Sequence, residues 1–287
     1  MAGEYELDPG TQIGEDGLRG SSLREQPPAT RIGRSVGALT LPIYHQVALG
    51  LHPSILHISK FGKNPDIDTT TTPEDCWDGG GEYTGFSAAA ETLSVVSTST
   101  ADDVGSTGAT SVTIQGLDVN GVIQEETVAM DGQTPVITTK SFLRAYRAFV
   151  ATAGTGSENA GVITATQTTS GDVMINIDAT HGQTAQAVYT VPTGYTGLLI
   201  FTHILTGRIN GSPGSAEVDL KIRPPGGAWR SIQNHFTVTG GPIVFEHTFP
   251  NYLESLTDLK IHVHEVSDNN TSISATFDIL LIPDELL

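Results

Sequence analysis

The chain is poor in the residues that would give it redox chemistry, a basic surface or a membrane span. Cys76 is the only cysteine in 287 residues, which excludes an intrachain disulfide and any zinc cluster built from several thiolates, and fits synthesis in a reducing compartment. Lysine and arginine total 14 against 32 acidic residues, a formal charge of -18, so the surface repels phosphate backbones and nucleic acid is not an expected partner. No apolar run approaches the eighteen or so residues of a membrane span. The start, Met1-Ala-Gly-Glu-Tyr-Glu, lacks the basic then apolar layout of a secretory signal, so a soluble, unexported product is expected. Charged residues make up only 16% and aromatics 6%.

What is abundant is the vocabulary of strands and turns. Glycine (32), proline (15) and a visible excess of Thr, Ser and Val favour short strands and many reversals, so the expected class is all-β. The length allows two ordinary domains, or one with a long arm.

Three segments are expected: an extended docking arm over 1–87, a first β-domain over 88–171, and a second, jelly-roll-like β-sandwich over 172–287. In the arm, sustained periodicity is missing and only Val36 to Ile58 is clearly apolar, with Pro42 and Pro53 forbidding one regular element across it. From Ser87 onward, strand-like runs alternate with turns, among them Leu93-Ser-Val-Val-Ser, Ser111-Val-Thr-Ile-Gln-Gly-Leu and Val122-Ile-Gln-Glu-Glu-Thr-Val. Asp118-Val-Asn-Gly between the last two reads as a hairpin. Thr138 to Ala151 fits a helix or a strand equally, since Phe142, Tyr146 and Phe149 recur at helical spacing among β-formers. Beyond Asp172 the strands crowd closely, as an antiparallel sandwich requires. Val218-Asp-Leu-Lys-Ile-Arg and Leu259-Lys-Ile-His-Val-His alternate cleanly, which predicts one buried and one wet face.

Candidate chemistry is sparse. His262 and His264 would share a strand face and, with Glu265, have the makings of half a metal site, but an exposed polar face is the better reading. His45, His52 and His57 show no ligand spacing and read as contact residues. Asp66-Ile-Asp and Asp268-Asn-Asn-Thr offer oxygen ligands without the loop pattern of a calcium site, so turn chemistry is preferred. Glu125 and Glu126 are strand neighbours facing opposite ways, a poor glycosidase pair. With no Gly-x-Ser-x-Gly elbow either, the chain reads as no enzyme, with no catalytic residue, metal or cofactor expected.

The interface candidates are clearer. Trp77, followed by Asp78-Gly-Gly-Gly-Glu-Tyr83, is a large ring beside glycines that permit close backbone approach, read as an anchor on a neighbouring subunit in preference to a sugar-stacking platform. Tyr83 closes the same segment. Arg19, Arg24, Arg31 and Arg34 concentrate basic charge in the arm of an acidic protein, suiting it to an acidic neighbour.

Two stretches resemble segments of tailed-bacteriophage structural proteins. One is Phe61-Gly-Lys-Asn-Pro-Asp-Ile-Asp with Pro73-Glu-Asp-Cys-Trp-Asp-Gly-Gly-Gly-Glu-Tyr. The other runs from Gln124-Glu-Glu-Thr-Val through Thr138-Thr-Lys-Ser-Phe-Leu-Arg and Gly161-Val-Ile-Thr-Ala-Thr to Gly182-Gln-Thr and Tyr189-Thr-Val-Pro-Thr-Gly-Tyr-Thr-Gly. The first 58 residues take no part in it. The resemblance implies a virion protein made in the host cytoplasm and carried on the particle surface, a capsid decoration (cement) protein that binds the major capsid protein or other virion proteins as a homotrimer or other symmetric oligomer. A tail, adaptor-associated or head-fibre component is the alternative, and a carbohydrate-binding module that meets a host-surface glycan is the rival from another class.

Overall fold

A computed structural model of the chain describes residues 41–208, 211, 214–237 and 242–287. Arg19, Arg24, Arg31 and Arg34 lie outside the described residues, as does the arm up to residue 40.

Contacts divide the chain into two units, residues 1–56 and 57–287. In the first, a six-residue helix, α1 (Ile43–Ala48), starts directly after Pro42, where a fixed φ suits a helix entry. Gln46 Nε2 donates to the Leu41 carbonyl (2.6 Å), and His52 Nε2 lies 2.9 Å from Gln46 Oε1.

The second unit is built almost entirely of strands. Its first group is β3 (Leu93–Ser97), β4 (Ala109–Leu117), β5 (Ile123–Ala129), β6 (Val136–Ile137), β7 (Arg144–Ala153), β8 (Ile163–Gln167) and β9 (Val173–Ile177). They make two antiparallel sheets, β6-β3-β8-β9 and β5-β4-β7. Both sheets turn apolar side chains into one core that includes Leu93, Val95, Val112, Ile114, Phe142, Ile163 and Ile177. The Asp118 hairpin forms as the sequence indicates: Asp118 Oδ1 accepts from the amides of Asn120 and Val122, and Gly121 supplies the positive φ of 75°. The ambiguous Thr138–Ala151 stretch resolves as the strand β7, which pairs with β4; a register shift between Gln115 and Gly116 lets Ala145 and Ala148, three residues apart, both be buried. Asp102, wholly buried, ties loop to sheet. Burial alone would raise its carboxyl, but bonds from Ser97 Oγ and the amides of Ala160, Gly161 and Ala109 hold it below the usual range.

The second group pairs β1 (Leu56–Ile67), β11 (Tyr195–Arg208), β14 (Pro242–Leu253) and β16 (Thr271–Pro283) in the order β1-β16-β11-β14. A companion sheet runs β10 (Val188–Thr190), β15 (Asp258–Val266), β12 (Ala216–Arg223), β13 (Arg230–Thr237), with β2 (Glu74–Asp75) also on β15. Leu199, Ile204, Ile273, Phe277 and Ile279 from the first sheet, and Val218, Leu220, Leu259, Ile261 and Val263 from the second, are buried.

Three sequence expectations are revised here. Residues 56–87, expected in the arm, supply β1 and β2 to these sheets. The inward positions of β1 are Lys60, Gly62 and Asn64, polar or small, so no apolar alternation announces the strand. Strand β9 lies beyond the expected boundary at 171/172, yet pairs with β8 of the first group. Finally, the face of β12 and β15 expected to be wet is dry in the middle: Asp219, Lys260 and His262 are only 2%, 7% and 3% exposed. Asp75 of β2 and the Trp229 ring lie against Lys260, and Asp75 also against His262, contacts that alternation within one strand cannot reveal.

Gly62 marks where β1 meets its neighbours: a Cβ there would stand 2.3 Å from both the Ala187 amide nitrogen and the Cys76 carbonyl oxygen. Backbone on both sides cannot move aside, so Gly62→Ala is expected to destabilise by about 1–3 kcal/mol or more, as overpacking does. Denaturant unfolding checks this, and an unchanged midpoint would contradict the packing of β1.

Candidate functional site

The polar residues of the second unit converge along the covered face of β15, and Asp75 is their centre. Its side chain is fully buried. Asp75 Oδ2 accepts from Lys260 Nζ (2.9 Å) and the Tyr83 amide (2.7 Å), while Oδ1 lies 2.7 Å from His262 Nδ1. One strand along, His264 Nε2 lies 2.6 Å from Asp219 Oδ2, which also accepts from Ser231 Oγ. The two histidine rings, expected to share a strand face, do share it, in an edge contact 4.9 Å between centroids. Each ring gives a nitrogen to a different carboxylate, and the described residues contain no group of three or more acidic, His or Cys side chains placed to hold a metal ion.

Trp77 and Tyr83 follow β2 into the interior. Trp77 is 4% exposed and Tyr83 6%, so both rings are packed within their own chain, a correction to the reading of Trp77 as a surface anchor or sugar platform. Gly79 takes the close approach that its segment suggested: a Cβ there would lie 2.3 Å from the Trp77 ring. Trp77 Nε1 donates to the Gly81 carbonyl, and a relay of edge contacts runs from Trp77 to Tyr83, from Tyr83 to Phe86 and from Phe86 to Trp229, at centroid spacings of 5.0–5.2 Å. Tyr83 OH lies within hydrogen-bond reach of the Ala145 and Met174 carbonyls of β7 and β9 (3.0 and 3.1 Å), which joins this segment to the first strand group. Burial pushes its phenol pKa up.

Beside this seam lies a cleft of about 420 Å³ lined in part by Phe86, Leu143, Arg144, Thr190, Arg223 and Asp258. Asp258, on β15, accepts from both guanidiniums, Arg144 at 2.9 and 3.1 Å and Arg223 at 3.0 and 2.7 Å, and from Thr190 Oγ1 at 2.6 Å. Both arginines also stand 5.6 Å from the Phe86 ring. Arg144 comes from β7 and Arg223 from β12, so one carboxylate clamps the two strand groups together. Sequence reading missed this trio, because residues 144, 223 and 258 are brought together only by the sheet order.

A third buried set surrounds Lys60 and Asp78. Lys60 Nζ donates to the Tyr146 carbonyl, and burial lowers its pKa to about 7, helped by Arg147 and opposed by Asp78. Burial raises Asp78 to about 7, although Oδ2 accepts from the Ala185 amide. Asp78 Oδ1, Gln186 Oε1 and Tyr189 OH are buried with no partner.

The remaining acidic candidates are spent on turns. Asp68 Oδ1 accepts from the Asn270 amide, and Asn269 Oδ1 from Thr69, so the two loops weighed for calcium are hydrogen-bonded to each other. Glu126 caps the amides of Thr139 and Lys140, while Glu125 accepts from Gln115. His57 lies 3.6 Å from Asp278. What the arrangement does chemically is lock sheets together.

No family model and no curated protein matches the chain. Among solved structures it is similar to that of the infectious bursal disease virus Gx strain, with 9% identity over 80% of this chain and 72% of the other and a TM-score of 0.22. It is also similar to the VP2 subviral particle of infectious bursal disease virus, with 10% identity, the same coverages and a TM-score of 0.18. Likenesses this distant carry no argument about the chain.

Two outcomes follow. Asp78 binds a proton in the folded state between pH 4 and 7 that the unfolded chain has lost, so it makes stability fall as pH rises through that window; Lys60 makes stability rise from 7 to 10.5. Asp78→Asn is therefore expected to raise stability at pH 7 and flatten the slope between pH 4 and 7 in urea titrations, and an unaltered slope would contradict the assignment. Trp77→Ala should cost the isolated chain about 3–5 kcal/mol, the range for a buried large aromatic, and a melting temperature equal to the parent's would show that the ring is not core.

Proposed function

We propose that the chain is a non-enzymatic structural subunit of a virus particle, specifically a capsid decoration protein of a tailed phage that docks on neighbouring subunits through its N-terminal arm. The observation that carries this reading is how the buried charges are used. Asp219 and Asp258 each accept from groups on two different strands, and Asp75 holds Lys260 and His262 of β15 together with the Tyr83 amide of the segment after β2. Removing one partner of such a set strands a buried charge at a cost of about 3–5 kcal/mol, so these residues favour one rigid arrangement of sheets. A rigid β-body with an appended arm suits a protein that coats and joins.

The net charge of -18 supports a position on the outer surface of the particle, away from packaged nucleic acid. The resemblance of residues 61–83 and 124–197 to tailed-phage structural segments supports the phage setting. A tail, adaptor or head-fibre position would use the same body and arm, and copy number separates it from decoration. The glycan reading loses its main residue, since the Trp77 ring is covered.

The arm deletion that tests this must stop before β1. Removal of residues 1–40 is expected to leave the melting transition within a few degrees of the parent's while the protein no longer incorporates into particles, as measured by co-sedimentation with them. Normal incorporation of the shortened chain would refute the docking role.

A further inference from the structure

Strand β14 ends its sheet: β11 pairs with one side of it, and among the described residues no strand pairs with the other. The outward rows across β11 and β14 are Leu205 beside Pro242, His203 beside Val244, Phe201 beside Glu246, and Leu198 beside Tyr252. Between the last two rows the register shifts, and Phe249 stands there 89% exposed. Tyr252 (65%) and Val244 (52%) extend the apolar strip along the same strand. Edge strands are usually blunted with lysine or covered, and here Pro250 and the register shift interrupt only the stretch between Glu246 and Asn251.

Acidic residues border the strip. Glu246 lies within it, and Asp278, paired with Phe201 on the β16 side, continues the same row. Glu254 stands two residues beyond Tyr252, and Asp284 is linked to the Tyr252 hydroxyl through Thr196 Oγ1. None of the row residues is Lys or Arg.

The chain itself contains the complement. Residues 17–40 carry Arg19, Arg24, Arg31 and Arg34 with a single acid, Glu25, and interleave them with Leu18, Leu23, Ile32, Val36 and Leu39. We propose that residues 17–40 of a neighbouring copy dock along β14, with their apolar residues on the Val244–Phe249–Tyr252 strip and their arginines against Glu246, Asp278, Glu254 and Asp284. Main-chain pairing on the open edge would supply affinity, and the placing of the arginines among the apolar residues the register. This inference rests on the reading of the arm as a docking segment, and adds that its receptor is a second copy of this chain.

The test uses the purified full chain alone, so no other virion protein enters it. Sedimentation equilibrium is expected to show self-association that weakens as salt is raised from 0.1 to 0.5 M. Replacing Arg19, Arg24, Arg31 and Arg34 together with Glu should weaken association at least tenfold, and so should Phe249→Ser, a substitution at a site too exposed to disturb the core. A photo-crosslinking residue at position 249 should label residues 17–40 of a differently isotope-labelled copy. A monomeric parent chain, crosslinks to the β-body, or association lost in Phe249→Ser but unchanged in the arginine variant would each overturn the proposal. If those results came with arm-dependent incorporation into particles, the arm would still dock, but on a different protein.

Discussion

A buried carboxylate must be satisfied or it unfolds its surroundings, and the second unit is organised around meeting that demand at Asp75. Lys260, His262 and the Tyr83 amide all reach it from 2.7 to 2.9 Å. Those bonds fix the short strand β2 on β15, and with it the segment that carries Trp77, Tyr83 and Phe86 over the sheet. Tyr83 then reaches the carbonyls of Ala145 and Met174 in the other strand group. Asp258 repeats the device with Arg144 and Arg223. Apolar burial supplies most of the driving force for such a body, but it is non-directional, and these charges choose one relation between sheets from the many that burial would tolerate.

The same arrangement accounts for where residues that look chemical in the sequence place their polar atoms. His262 and His264 each spend a ring nitrogen on a carboxylate, and Cys76 is buried with its thiol pKa pushed up, which opposes thiolate chemistry. Lys60 and Asp78 carry shifts toward neutrality, yet both are enclosed. On the surface, by contrast, the edge strand β14 exposes Val244, Phe249 and Tyr252.

Much of the strand content was legible in the sequence because it rests on local signals. Alternation in Val218–Arg223 and Leu259–His264 marked β12 and β15, and Asp118-Val-Asn-Gly marked its hairpin. Two kinds of feature were hidden. Strand β1 turns Lys60, Gly62 and Asn64 inward, so its buried side reads as polar. The Arg144–Asp258–Arg223 clamp joins residues up to 114 positions apart, and each looks like ordinary surface charge until the sheet order is known. Trp77 shows the complementary error: a large ring beside glycines suggests an anchor, but sequence cannot say whether its packing partner is the same chain or another.

The central claim is that this chain is a stoichiometric part of a particle, and the most direct measurement is its copy number in purified virions, by quantitative mass spectrometry against the major capsid protein. A decoration protein predicts a fixed ratio approaching that of the capsid protein across preparations. Absence from particles, or a trace amount that varies from one preparation to the next, would contradict the account.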